Sequence, residues 1–253
     1  MESQPRLHSR NISFYSPPNP ITSRITSESN PLDTKISLIS SSQSSPSPHN
    51  TNAVYLFIIV AFSYMVPWTA VGSLIDSYTS QYGKNYYVYL NLAFYGVGYP
   101  VSLMQQRVDL YYDILYGSKT TFQGRLYICL TCLILLLWTL PYLQGIFYIF
   151  AIIGIGINTW FAHGCASTLA GLLKFDSPIL QQIGFVLPGL FSILMIYTLN
   201  LRGGGEISFR KRIVFFSCAS LCVIPGLFAW YFLCNSHLAS SKLVNKVDLL
   251  IPS

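Results

Sequence analysis

Apolar positions cluster into six long runs, covering residues 53–75, 86–105, 126–143, 146–173, 178–199 and 214–234. A hydrocarbon core ~30 Å thick takes about 20 residues of helix at 1.5 Å per residue. The run at 126–143 approaches that length without a charged side chain. In lipid every backbone N–H and C=O must be satisfied within its own segment, so each run predicts a helix. The predicted fold is therefore an all-α membrane protein, a six-transmembrane-helix bundle over residues 53–235. A polar tail, residues 1–52, precedes it, and a short polar tail, residues 236–253, follows.

The intervals between runs refine this picture. A tyrosine-rich polar connection, residues 107–124, separates the second run from the third, and only Gln144-Gly145 separates the third from the fourth. The fourth run is long for one crossing and must tilt, bend near Gly154 and Gly156, or protrude. The N-terminal tail is rich in Ser, Pro, Asn and Thr, ending in Ser-Ser-Ser-Gln-Ser-Ser-Pro-Ser-Pro at residues 40–48, with no apolar period to support a core. It is expected to be disordered. No apolar stretch lies near Met1, so the first run is expected to target the chain to the membrane. Arg6, Arg10 and Arg24 stand against only Glu2 before residue 28, which leaves an organellar transit peptide open, and Asn11-Ile-Ser13 is a sequon that matters only if the tail faces a lumen. A cytoplasmic N terminus puts Arg107, Lys119, Arg125, Lys174, Lys242 and Lys246 inside, as the positive-inside bias prefers. The same choice puts Arg202, Arg210, Lys211 and Arg212 outside. Both termini are assigned to the cytosol, because the polar tail carries no export signal.

Composition agrees with an integral, multi-pass protein. Charged residues make up 9% of the chain, against ~25% in soluble domains, too few to cover a water-facing surface. The net charge of +6 resides in the tail and the short connections, with no aromatic-interleaved basic stripe, so nucleic acid is not an expected partner. All six cysteines fall in or beside apolar runs. Cys129-x-x-Cys132 has the spacing of a redox or zinc half-motif, but no second ligand pair exists, so these cysteines are read as packing residues and neither metal nor cofactor is expected.

An ionisable side chain in the bilayer is costly unless it faces the bundle interior or water. His163 is the one such residue deep in a predicted span. At helical spacing Thr159, His163, Ser167 and Gly171 share one face, giving hydrogen-bonding groups over open space at the glycine. About 100° away, Ala162, Ala166 and Ala170 form a small-residue ridge suited to close helix packing. The bland alternative is that His163 bonds a backbone carbonyl of another helix. Pro67-Trp68, Gly96-Val-Gly98-Tyr-Pro100, Pro188-Gly189 and Pro225-Gly226 interrupt other spans. Transporters use such breaks to bend, although membrane helices tolerate Gly and Pro generally.

Several of these positions together resemble the equilibrative nucleoside transporters. That family carries Pro-Trp-Asn in its first helix, where this chain has Pro67-Trp68-Thr69 followed by Ser77-Tyr78. Its third helix opens at an arginine, as here at Arg125. In its fourth helix a polar residue, Gly, small residues and Leu-Ala-Gly resemble His163-Gly164-Cys165-Ala166-Ser167-Thr168-Leu169-Ala170-Gly171, and its fifth begins after a short turn, as Ser177-Pro178-Ile179 does. The resemblance covers residues 55–235. Thr69 replaces the family's asparagine, His163 its glutamine, and Gln181-Gln182-Ile183-Gly184 matches its Gly-Gln-Gly only loosely. The family has eleven helices, and the likeness here extends over six.

The resemblance implies a bundle like one half of a major-facilitator-like transporter. It further implies facilitated, alternating-access movement of nucleosides or nucleobases about a central site. Trp68, Thr69, His163 and Ser167 are then the expected substrate contacts, an aromatic covering the base and polar groups meeting its edge. A second bundle, from a homodimer or a partner half, is expected to supply the opposing wall. No phosphate-binding glycine loop is present, so direct ATP drive is not indicated. The alternative is a non-transporting binding or regulatory membrane protein, or the partial product of a longer transporter gene. An embedded enzyme is not expected, because His163 lacks a second histidine, cysteine pairing or carboxylate at catalytic spacing.

Overall fold

The computed structural model describes residues 48–173, 177–201, 207–236 and 239. The predictions for residues 1–47, and for most of the C-terminal tail, lie outside them. The described chain is α-helical: α1 Pro48–Ser73, α2 Ile75–Tyr82, α3 Tyr86–Tyr95, α4 Gly98–Tyr116, α5 Ser118–Thr139, α6 Gly145–Leu172, α7 Ser177–Thr198 and α8 Phe209–Asn235. A 3₁₀ turn, Leu140–Tyr142, extends α5 at Pro141.

Among the described residues, four helical stretches are long and apolar enough to cross a membrane: Asn52–Ser73, Ser118–Tyr142, Gly145–Leu172 and Phe209–Asn235. Within α7, Gln182–Thr198 is apolar but shorter. The second predicted span is interrupted, since α3 ends at Tyr95, capped by Gly96, and α4 begins at Gly98. That break leaves a ten-residue helix followed by one carrying Arg107, Asp109 and Asp113. The long fourth helix runs unbroken past Gly154 and Gly156.

The structure gives the polar connection at 107–124 its conformation. It is helical throughout except at Gly117, which adopts φ +80° and gives its N–H to the Asp113 carbonyl (3.1 Å). Tyr, Gln, Thr and Arg are adequate helix formers, and only a residue tolerant of positive φ was needed to turn the chain.

Helix α1 lies at the centre, packed most extensively on α8 and α7 and also on α6. Its Phe57, Val60, Ala61, Ser63, Tyr64, Val66, Ala70 and Val71 are fully buried. Small residues permit this double contact: Gly184 of α7 lies against Ala61, and Gly226 of α8 against Ser63. In a bilayer, whose lipid tails are as apolar as the side chains, dispersion contacts between closely approaching backbones take the place of the hydrophobic drive of a soluble core. On the other side, α5 packs against α8 and α6, with Trp138 Nε1 donating to Ser220 Oγ at 2.5 Å. The α3–α4 break seats on α6, where a Cβ at Gly156 would meet the Phe94 carbonyl oxygen at 2.8 Å and Val97 at 2.7 Å.

Candidate functional site

Helices α1, α3, α6 and α7 together build a small aromatic cavity around His163. Its volume is about 220 Å³, and its lining comprises Met65, Phe94, Tyr95, Thr159, Trp160, His163 and Phe185. Helix α1 contributes Met65 directly and Trp68 indirectly. The Trp68 indole stacks on Phe94 with centroids 4.0 Å apart and planes 8° from parallel, and meets Tyr95 edge-on at 5.5 Å. Its Nε1 donates to Tyr95 Oη at 3.1 Å. Trp68 therefore backs the cavity wall and orients Tyr95 rather than lining the space itself.

The α6 side is fixed by hydrogen bonds to neighbouring backbone. Thr159 Oγ1 donates to the Tyr64 carbonyl (3.3 Å), and Trp160 Nε1 donates to the Phe94 carbonyl (3.3 Å). His163 sits in an aromatic cage with Tyr64, Trp160 and Phe185 ring centroids at 6.0, 5.8 and 5.9 Å. Its Nδ1 lies 3.2 Å from Tyr64 Oη. The histidine thus bonds a side chain, and the backbone-carbonyl alternative is set aside.

The sequence-predicted site residues separate into groups. His163 and Thr159 line the cavity, and Trp68 supports it. Thr69 turns its hydroxyl back on its own helix, donating to the Met65 and Val66 carbonyls at 3.2 and 3.0 Å. Neither Thr69 nor Ser167 is among the lining residues. A Cβ at Gly171 would meet nothing within 4 Å. Ala162, Ala166 and Ala170 are fully buried, as are Cys165 and Leu169 between them.

Tyr64, Tyr95 and Phe185 complete the site and were not legible as functional in the sequence. Each stands among many aromatics on its own run, and only tertiary packing selects it. Gln105 is a further buried polar group, its Nε2 3.5 Å from both the Phe161 carbonyl and Cys165 Sγ and its side chain against Gly164.

A larger cavity of about 560 Å³ lies between α4, α5 and α6, with Tyr112, Tyr116, Arg125, Asn158 and Phe161 in its wall. Arg125 Nη2 donates to the Val108 carbonyl at 3.5 Å, and its guanidinium lies 5.9 Å from the Tyr112 ring centroid. Asn158 is bonded to the Gly154 carbonyl of its own helix (2.8 Å). This cavity also carries polar side chains in its wall; the smaller one is taken as the binding candidate because it holds His163, the imidazole that is costly to leave against lipid. Among the described residues, neither cavity is lined by a carboxylate. Comparison with protein-family models, curated proteins and solved structures returns no match to this chain, so the site's geometry alone bears on its function.

Proposed function

We propose that the protein carries nucleosides or nucleobases across a membrane by facilitated, alternating-access diffusion. Six crossings are assigned to α1, α3 with α4, α5, α6, α7 and α8, an arrangement like one half of a major-facilitator-like transporter. The observation that carries the reading is the aromatic cavity around His163. A nucleobase is flat and apolar on its faces and polar at its edge. Phe94, Tyr95, Trp160 and Phe185 supply surfaces for such faces, while His163 and Tyr95 supply groups for the edge. Of the residues that carry the resemblance to equilibrative nucleoside transporters, His163 lines this cavity and Trp68 stands behind it, whereas Arg125 lies in the wall of the larger one.

At about 220 Å³ the cavity is smaller than the ~300–1,000 Å³ usual for small-molecule sites. It accommodates part of a nucleoside and is read as one wall of a central site. A second bundle, from another copy of this chain or from a partner, supplies the opposing wall against which this one rocks. The same small volume also supports a second reading, a membrane binding or regulatory protein that does not transport. Uptake of radiolabelled uridine and adenosine into reconstituted vesicles, measured beside oligomeric state, separates the two. Saturable uptake by an assembled species, reduced by Trp68→Ala and His163→Ala, supports transport. Saturable uptake by a strictly monomeric protein refutes the second bundle, and absence of uptake in every assembly state, with candidate partners supplied, favours the non-transporting reading.

A further inference from the structure

Every polar atom in the small cavity can be assigned a hydrogen-bonding duty. Thr159 and Trp160 have spent their donors on the Tyr64 and Phe94 carbonyls. Tyr95 Oη accepts from Trp68, which leaves its own proton to give. The remaining question is which nitrogen of His163 carries hydrogen, and Tyr64 answers it. The Tyr64 side chain is fully buried, and among the described residues its hydroxyl has one partner, His163 Nδ1 at 3.2 Å. If Nδ1 were the donor, the phenolic hydrogen would be buried with no acceptor, a costly arrangement. With Tyr64 donating, its hydroxyl and Nδ1 are both satisfied, and the neutral ring must hold its proton on Nε2. Nε2 makes no bond to any described residue, while His163 itself lines the cavity.

We propose that Tyr64 holds His163 as the Nε2–H tautomer, so that the cavity reads a hydrogen-bond acceptor on the edge of a flat aromatic ligand. Two donors, His163 Nε2–H and Tyr95 O–H, then face a ligand between aromatic walls. A ring nitrogen or ring carbonyl fits this pattern, whereas an N–H or C–H at the same place does not. This inference rests on the nucleobase reading for its ligand but not for its tautomer. Tyr64 is a positioning residue, acting through His163.

Two measurements on the full chain in lipid nanodiscs test it. The first is ¹⁵N NMR with ring-labelled histidine, in which His163→Gln identifies the His163 signals among those of the four histidines. The expected spectrum shows Nε2 protonated and Nδ1 as an acceptor at neutral pH, and Tyr64→Phe shifts it toward a tautomer mixture. A proton on Nδ1, or on both nitrogens, in the unmutated protein overturns the inference without reference to any ligand. The second is competition binding by adenosine and its 1-deaza, 3-deaza and 7-deaza analogues, each replacing one ring nitrogen by C–H. One analogue is expected to bind about 2- to 12-fold more weakly, the worth of one neutral hydrogen bond, and Tyr64→Phe is expected to shrink that difference. Equal binding by adenosine and all three analogues overturns acceptor reading. Binding by none of them overturns the ligand half of the inference together with the nucleobase proposal, while the NMR result still decides the tautomer.

Discussion

Replacing Gly156 by alanine probes the seam on which the small cavity depends. The added Cβ would lie 2.8 Å from the Phe94 carbonyl oxygen and 3.2 Å from its Cα. The first distance is 0.6 Å short of the 3.4 Å at which ordinary contact begins. The nearest atom, Val97 Cγ2 at 2.7 Å, belongs to a side chain, but the Phe94 atoms are backbone, so full relief requires α3 and α6 to separate. That movement also strains the Trp160 Nε1 bond to the same carbonyl, now 3.3 Å. Gly154, two residues earlier, is the matched control, because its Cβ would meet only the Leu136 methyls at 3.3 and 3.5 Å. Both substitutions gain similar helix propensity, ~1 kcal/mol, so their difference isolates the overpacking cost of ~1–3 kcal/mol. At about 2–4 °C per kcal/mol for a chain of this size, Gly156→Ala should melt ~2–12 °C below Gly154→Ala. A thiol-reactive fluorogenic dye provides the assay, since Cys129, Cys165 and Cys234 are buried until the bundle opens. Equal melting temperatures, or a more stable Gly156→Ala, would refute the close seating of the α3–α4 break on α6.

Further substitutions address other joints. Tyr86→Phe deletes the hydrogen bond from Tyr86 Oη to the Gly145 carbonyl (3.1 Å) at the start of α6, and the same melt should report a loss of about 0.5–1.5 kcal/mol. Trp138→Phe removes the 2.5 Å bond to Ser220 between α5 and α8 and should cost a similar amount, with substrate affinity unchanged because neither residue lines the His163 cavity. Thr69→Val should leave the KM of uridine uptake within about twofold of the unmutated value, since its hydroxyl serves its own helix. A larger rise in KM would restore Thr69 as a substrate contact.

Long helices were legible because a lipid setting leaves an apolar run few other structures: α1, α6 and α8 follow the predicted runs with ends displaced by up to about five residues, while α5 begins at Ser118 rather than Leu126. The α3–α4 break was visible as Gly96 and Gly98 but could not be distinguished from tolerated glycine until α6 was seen to occupy the space. The conformation of the 107–124 connection was not legible, because its polarity leaves no apolar period, its helix propensity is ordinary and only Gly117 turns. For the site, His163 stood out by the cost of placing an imidazole in a span. Tyr64 did not, because its role follows from a contact across 99 residues that no local spacing encodes. Thr69 stands beside Trp68 in sequence but does not line this cavity: adjacent helix positions point about 100° apart, so a motif beside the cavity need not place each member in it.

Counterflow bears most directly on the central claim that this bundle moves a nucleobase-containing solute. Vesicles carrying the assembled protein are loaded with excess unlabelled uridine or adenosine and diluted into trace labelled nucleoside. A carrier exchanging by alternating access produces transient accumulation of label above equilibrium, and His163→Ala is predicted to reduce that overshoot severalfold at equal protein incorporation. Saturable binding of labelled nucleoside without any overshoot, in every assembly state, would contradict the transport account and identify the cavity as a binding site alone.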